Sequence, residues 1–375
     1  MLTRIYIDNY RCFVNFDLRL RSTQLILGVN GTGKSAFLEV LRRLRDFVLL
    51  GYKVDDMFPA HTRTRWQTLP RQSFELEVEG NDGKYFYTLW IEVQDERRSR
   101  VVKEALDFNE KPLLLFQDDQ VHLFDDNHVK RATYPFESDR SAFTVLGPKK
   151  ASRKLSWFKE WTNGLYCVSI DSSKMGAEAK DEDDYPEDDL GNFAAWYAHI
   201  IQEQTSSLLD LQRALRDVID GFDALELKRI GRTARVLRAV FSKSVDDADP
   251  SRKGSRIEFD FDELSDGQRA LIALYTLLYC VVNAGTTICL DEPDNFLALG
   301  EIQPWMFAIS DRVNDIGAQV ILISHHPELI DLLAPQHGVV FTRSGLGPVR
   351  VEPYHPDAIG KLLPSERVAR GWDRD

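Results

Sequence analysis

The sequence predicts an α/β fold with a mixed, mainly parallel sheet core, an antiparallel β insertion and a helical lobe. Three observations carry that expectation. The stretch "QLILGVNGTGKSAFLEVLRRL" reads as strand, glycine loop and helix. Period-two alternation on both sides of Asn81-Asp82-Gly83 reads as an antiparallel hairpin. The final third alternates apolar helical segments with short apolar strands, the pattern of a parallel sheet covered on both faces.

Taken in order, Phe16, Leu18 and Leu20 alternate with polar neighbours, as in a strand with one buried face. Leu25 to Leu27 form the strand before the glycine loop, and Phe37, Leu38, Leu41, Leu44 and Val48 recur at helical spacing after it. In the hairpin Phe74, Leu76 and Val78 face one way, and Tyr85, Tyr87, Leu89, Ile91 and Val93 resume the alternation. Shorter strands are expected at Val101 to Leu106, Leu113 to Phe116 and Val121 to Phe124. The run "DEDDYPEDD", Asp181 to Asp189, reads as a solvated acidic loop that could also repel or attract a partner. Leu190 to Ile219 has helical spacing in two pieces, and Arg235 to Phe241 and Ile257 to Phe261 read as strands flanking the polar loop "SKSVDDADPSRKGS". A helix after Gln268, a strand at Thr286 to Leu290, a helix around Gln303 to Val313, a strand at Gln319 to Ile323 and a helix near Glu328 to Leu333 follow. The expected organisation is three consecutive segments: 1–150 with the glycine loop and β insertion, 151–255 mainly helical with the acidic loop, and 256–375 with the closing motifs.

Bulk properties narrow the function classes. At 375 residues, 43% hydrophobic and 28% charged, the chain can bury one large core with insertions or two modest ones. Its longest apolar run, Ala270 to Val282, is shorter than the roughly 18–20 residues that cross a bilayer, and no leader pattern follows Met1. The expectation is a cytoplasmic protein without a membrane partner. Cys12, Cys167, Cys280 and Cys289 are far apart, so neither a disulfide framework nor zinc is indicated. A net charge of −12 opposes nonspecific attraction to nucleic acid, leaving DNA as a partner only through a local basic stripe.

The chemistry concentrates in four motifs. Gly28-Val29-Asn30-Gly31-Thr32-Gly33-Lys34-Ser35 matches the Walker A pattern between a strand and a helix. There Asn30, Gly31, Thr32 and Gly33 would offer backbone N–H groups to phosphates, Lys34 would reach the β and γ phosphates, and the Ser35 hydroxyl would ligate magnesium. "TTICLDEPDNF" delivers Asp291 and Glu292 at a strand end, Asp291 to support the metal and Glu292 to orient or deprotonate the attacking water. Alone, such a pair often only starts a solvated loop; a Walker A loop upstream gives it meaning. In "QVILISHHPELI", His325 would sense a γ phosphate, although either imidazole could cap the next helix, and a zinc site would need ligands at other spacings. "DELSDGQRALIAL" opens a buried helix with a small polar pentapeptide whose serine could serve as an N-cap.

Together these motifs resemble an ABC-type ATPase head of the SMC, Rad50, RecF and OLD-nuclease group, grouped broadly with AAA-family ATPases. The resemblance covers the N-terminal strands through "GVNGTGKS" and then Phe259 to about Leu333, with the intervening insertion unmatched. It implies ATP and Mg2+ as cofactors, ATP hydrolysis with Glu292, His325 and Lys34 as the catalytic set, and a homodimer or higher even oligomer. In such a dimer Ser265, Gly267 and Gln268 of one copy close over the γ phosphate held by the other. It also implies a basic residue near the nucleotide, where Arg11 of "NYRCF" stands. Asp294 and Asn295 occupy the D-loop place but continue into "FLALG", unlike many relatives. Neither Gln67 nor Gln72 is assigned as the Q-loop glutamine.

No sustained heptads separate Walker A from the signature, so coiled-coil arms are not expected, and the chain is expected to end too soon after the sheet for a nuclease domain. The leading expectation is therefore an ATP-switched head that controls a separate effector, a nuclease or toxin of a bacterial anti-phage system. A RecF-like repair ATPase is the alternative, with Lys149, Lys150, Arg153 and Lys154, or Lys228, Arg229, Arg232, Arg235 and Arg238, as its DNA face. A third possibility is a scaffold that binds ATP with negligible hydrolysis.

Overall fold

The structure is a computed structural model that describes residues 1–94, 98–146, 152–230, 234–242, 256–356 and 362–370. The chain divides into two compact units: residues 1–167, 284–289 and 317–375 form the first, and 168–283 with 290–316 the second. The units interleave along the chain, where three consecutive segments were expected. The reason is physical: a parallel sheet draws its strands from distant parts of the sequence.

In the first unit an eight-stranded antiparallel sheet runs in the order Phe16–Arg19, Leu2–Asp8, Arg71–Gly80, Gly83–Gln94, Arg98–Phe108, Lys111–Gln117, Gln120–Phe124, Lys130–Pro135. The hairpin at Asn81-Asp82 pairs Gly80 with Gly83, and both turn residues have positive φ (51° and 59°), the two-residue geometry that matches strand twist. Asn109-Glu110 and Asp118-Asp119 repeat it, which is why three successive strands return so tightly.

The second sheet has the order Leu165–Ser169, Thr287–Asp291, Gln319–Ile323, Thr23–Leu27, Gly338–Thr342, Arg350–Pro353. Thr23–Leu27 pairs in parallel with both Gln319–Ile323 and Gly338–Thr342, and the Arg350–Pro353 strand closes the edge antiparallel. Every residue of the two strands Thr23–Leu27 and Gln319–Ile323 is buried, as covered faces on both sides require. Gln319, wholly buried, ties this sheet to the N-terminus: its Oε1 accepts from Leu2 N (2.9 Å) and Thr287 Oγ1 (3.0 Å), and its Nε2 donates to Leu2 O (2.7 Å) and Arg21 O (2.9 Å). All of its hydrogen-bonding capacity is used, so a buried amide costs little there. Phe16, Phe37 and Phe341 pack edge to face beneath the Lys34–Leu50 helix.

The second unit combines the helices Phe193–Glu203, Thr205–Val218, Asp266–Thr276 and Leu299–Ile316 with a small antiparallel sheet. That sheet joins Glu178–Ala179, Phe222–Ile230, Ala234–Ser242 and Arg256–Asp260. The Asp266–Thr276 helix continues into a π-helical turn, Leu277–Val281, and the buried Trp305 indole donates to Leu274 O at 3.2 Å. No helix among the described residues is long and apolar enough to cross a membrane.

Candidate functional site

In the first unit the buried Thr23–Leu27 strand delivers the Walker A loop to the helix Lys34–Leu50. Gly33 sits at φ 97°, and a Cβ there would lie 2.8 Å from Cys12 Sγ; the left-handed backbone and the neighbouring thiol both demand glycine. The helix that follows has no side-chain cap and no acid in its first turn, so the positive end of its dipole faces no carboxylate of that turn, a setting that favours an anion. Lys34 is buried at 6% exposure, with Nζ donating to Gly28 O (2.6 Å) and Val29 O (3.3 Å). Thr32 closes the loop by donating to Val29 O through its hydroxyl (2.8 Å) and its amide (3.3 Å). Asn30, Gly31 and Ser35 are exposed at the loop surface. A buried ammonium held by the carbonyls of a glycine loop, at a helix start without a side-chain cap, suits a polyanion.

Arg11 takes a left-handed backbone (φ 48°), and its Nη2 bonds Glu39 Oε1 at 2.7 Å, which ties it to the helix that begins at Lys34. Gln72 is buried with its Nε2 on Asn9 O (3.1 Å) and Thr62 Oγ1 (3.3 Å), a structural role rather than a loop one. At the end of Gln319–Ile323 the two histidines separate. His326 caps the helix Pro327–His337 through Nδ1, which accepts from Glu328 N at 3.3 Å, while His325 is exposed. Among the described residues no cluster of His, Cys, Asp or Glu could hold a metal by itself.

The remaining predicted residues belong to the second unit. The Thr287–Asp291 strand passes into it at Leu290, and Asp291 and Glu292 are half-buried. Glu292 has φ 48°, a conformation that costs a non-glycine residue of order 1 kcal/mol. The turn after it supports that backbone: Asn295 donates through Nδ2 to Glu292 Oε2 (3.0 Å) and through its amide to Glu292 O (3.1 Å). Backbone strain at a carboxylate on a strand end is characteristic of functional positions.

Ser265 N-caps the Asp266–Thr276 helix in a full capping box: Gln268 N donates to Ser265 Oγ (3.2 Å), and Ser265 N donates to Gln268 Oε1 (3.2 Å). Ser265 Oγ also donates to Gln268 Oε1 at 3.1 Å. Gly267 is fixed by close approach, since a Cβ would lie 2.8 Å from the Phe296 carbonyl of the turn after Glu292. Two supports escaped the sequence reading. Ser172 Oγ and Arg269 Nη2 both bond Asp266 Oδ1, at 3.1 and 2.7 Å, and hold the pentapeptide; Ser172 lies outside every motif, and Arg269 directly follows the pentapeptide.

A Walker A loop on a parallel-sheet strand, an acidic strand end, and an antiparallel sheet packed within the same unit as the loop define a P-loop NTPase of the SMC and ABC head type. The chain belongs to the family described as "AAA domain, putative AbiEii toxin, Type IV TA system", whose profile matches residues 25–331. Among solved structures it is similar to "the SmcHead bound to the C-winged helix domain of ScpA", at 10% identity, over 94% of this chain and 98% of that one, with a TM-score of 0.54. The SMC head domain from Thermotoga maritima is 11% identical over 95% and 99% of the two chains, with a TM-score of 0.45. No curated protein sequence matches.

Proposed function

We propose that the chain binds ATP with magnesium, hydrolyses it, and pairs with a second copy around two nucleotides to govern a separate effector. The observation that carries this reading is Lys34, a buried cation bonded inside a glycine loop at an uncapped helix start. Gly31, Thr32 and Gly33 present amides to the β and γ phosphates, Asn30 flanks them, and Lys34 neutralises the charge that builds as the terminal phosphoryl leaves. Ser35 and Asp291 hold magnesium, which when bound supplies charge neutralisation on the phosphate oxygens. Glu292 orients and deprotonates the attacking water, His325 senses the γ phosphate, and Arg11 contributes a positive charge near the nucleotide. Ser265, Gly267 and Gln268 of the second copy close the site, for which the Ser265 hydroxyl exchanges its bond to Gln268 for a phosphate oxygen.

The family description names a putative AbiEii toxin of a type IV toxin–antitoxin system, which supports placing the chain in a toxin–antitoxin setting; the anti-phage role and the cytoplasmic location belong to the proposal itself. A RecF-like DNA face gains less support. Lys149, Lys150 and Arg232 lie outside the described residues. Of the others, Lys228 pairs with Glu258, Arg235 with Glu182 (3.0 Å) and Arg238 with Asp260 (2.6 Å), so those charges are already answered within the chain.

Glu292→Gln tests the reading. Phosphate release should fall at least ~100-fold while ATP still binds, and the ATP-bound protein should elute at twice the mass of the nucleotide-free chain. Unchanged phosphate release removes Glu292 from catalysis. A variant that binds ATP but never pairs removes the switch.

A further inference from the structure

Beside the Walker A loop stands a second group that no motif marks. The Thr64–Gln67 turn, closed by Gln67 N to Thr64 O (3.1 Å), holds Trp66 with 44% of its surface exposed. Its base is firm, since Thr64 is fully buried and its hydroxyl donates to Phe13 O at 3.4 Å. Arg343, just past the Gly338–Thr342 strand, lies with Cζ 5.7 Å from the centroid of the Trp66 ring. Its Nε donates to Gly347 O (2.7 Å), its Nη2 to Leu346 O (3.3 Å) and its Nη1 to Gly31 O (3.4 Å). The guanidinium therefore bridges the phosphate loop and an exposed indole, and it folds the turn that carries Leu346 at 82% exposure.

We propose that Trp66 and Arg343 form the stacking platform for the base of the bound nucleotide, and that the platform favours a purine; the proposal rests on the nucleotide reading above. A nucleotide whose phosphates lie against Gly31 places its ribose and base within a few ångströms of the same loop. An indole and a guanidinium plane both present flat, polarisable surfaces of the kind on which bases stack. Stacking grows with ring area, so the larger purine gains more than a pyrimidine, and without base-edge donors the platform does not separate adenine from guanine. Arg343 is preorganised by its three backbone acceptors, so little side-chain freedom is lost on binding.

Calorimetry on the full chain with ATP, CTP and inorganic tripolyphosphate, each with magnesium, tests this for wild type, Trp66→Ala, Trp66→Phe and Arg343→Ala. Trp66→Ala should weaken ATP about tenfold, CTP less, and tripolyphosphate not at all, and Trp66→Phe should recover most of the loss. Arg343→Ala should also lower ATP affinity more than tripolyphosphate affinity. Unchanged ATP affinity in Trp66→Ala, or an equal loss for tripolyphosphate, overturns the platform while leaving the nucleotide reading intact. So does loss of binding to a single-stranded oligothymidylate with ATP affinity preserved, which would make Trp66 a nucleic-acid contact. A wild-type chain that takes up neither ATP nor tripolyphosphate overturns the nucleotide reading, and the platform with it.

Discussion

Two helix starts in this molecule carry a serine and a glycine, and they treat their orphan amides in opposite ways. The helix Lys34–Leu50 begins at a left-handed glycine with no side-chain cap and no first-turn acid. The helix Asp266–Thr276 begins at a serine in a full capping box, with Asp266 in its first turn. The first start is folded by its loop and left electrostatically open; the second is satisfied from within the chain. A third, short start is also satisfied from within the chain, by Ser141 Oγ accepting from Phe143 N and by a buried acid. At Ala142–Val145 the Ser141 hydroxyl and the Ala142 amide donate to the carboxylate of Glu104, at 2.7 and 2.6 Å, and Tyr87 adds a third donor at 2.8 Å. There the chain fills an anion receptor with its own acid. The helices Phe193–Glu203 and Thr205–Val218 also start without a side-chain cap or a first-turn acid, so a missing cap alone does not make an anion site; at Walker A it coincides with a glycine loop and the buried Lys34.

The largest expected effect breaks the open start. Lys34→Ala should weaken ATP by about two to three orders of magnitude, because a buried charge partner of the phosphates is lost. The fold should survive, since the Lys34 ammonium bonds the loop carbonyls of Gly28 and Val29 rather than joining distant elements. Titration calorimetry with far-UV dichroism as the folding control checks both. Equal affinity in the variant would mean that the open start is not the phosphate site.

The self-filled receptor makes a pH prediction of the next size. Burial pushes Glu104 up to about 7 from its ordinary 4.5, outweighing its three donors. The folded state then holds an extra proton between about 4.5 and about 7, so stability falls as pH rises through that window and levels off on either side. The span is on the order of 3 kcal/mol, taken from the size of that shift. Glu104→Gln should flatten the slope in urea unfolding followed across the window. A slope that persists in the variant would assign it to other groups.

Gly267→Ala probes the closed start. A Cβ there meets the Phe296 carbonyl, which belongs to backbone and has little room to move. We expect a loss of about 2 kcal/mol, read as a lower midpoint of unfolding. Unchanged stability would show that the turn after Glu292 yields easily and that its contact with the pentapeptide is loose.

How much of this was legible in the sequence follows from how local each signal is. The glycine loop, the Asn81-Asp82 hairpin and the Gln319–Ile323 strand declare themselves within a few residues, through turn chemistry and apolar period. Phe222–Ile230 escaped notice as a strand because Asp223, Glu226, Lys228 and Arg229 interrupt its apolar alternation; the pairs Lys228–Glu258 and Glu226–Arg256 form only once the strands of that sheet are in register. The supports of the site were illegible for a similar reason. Ser172 lies 94 residues from Asp266, Arg343 lies 312 from Gly31, and Gln319 lies 317 from Leu2, so no window of sequence contains both partners. The motifs mark which residues would meet a ligand; the residues that hold them in place are set by the tertiary fold.

The smallest expected effect separates the two roles of Ser265. As an N-cap its hydroxyl accepts from Gln268 N, and Ser265→Ala should cost about 1 kcal/mol. That loss alone would not distinguish a cap from a phosphate contact, because alanine removes both. Aspartate does distinguish them: it caps as well as serine, yet it sets a negative charge where the partner copy's γ phosphate would arrive. Ser265→Asp should therefore restore the melting temperature while ATP-dependent pairing, read by light scattering in a Glu292→Gln background, stays lost. If Ser265→Asp restores pairing together with stability, the pentapeptide does no more than start its own helix, and the contrast between an open and a closed start is the whole of its meaning.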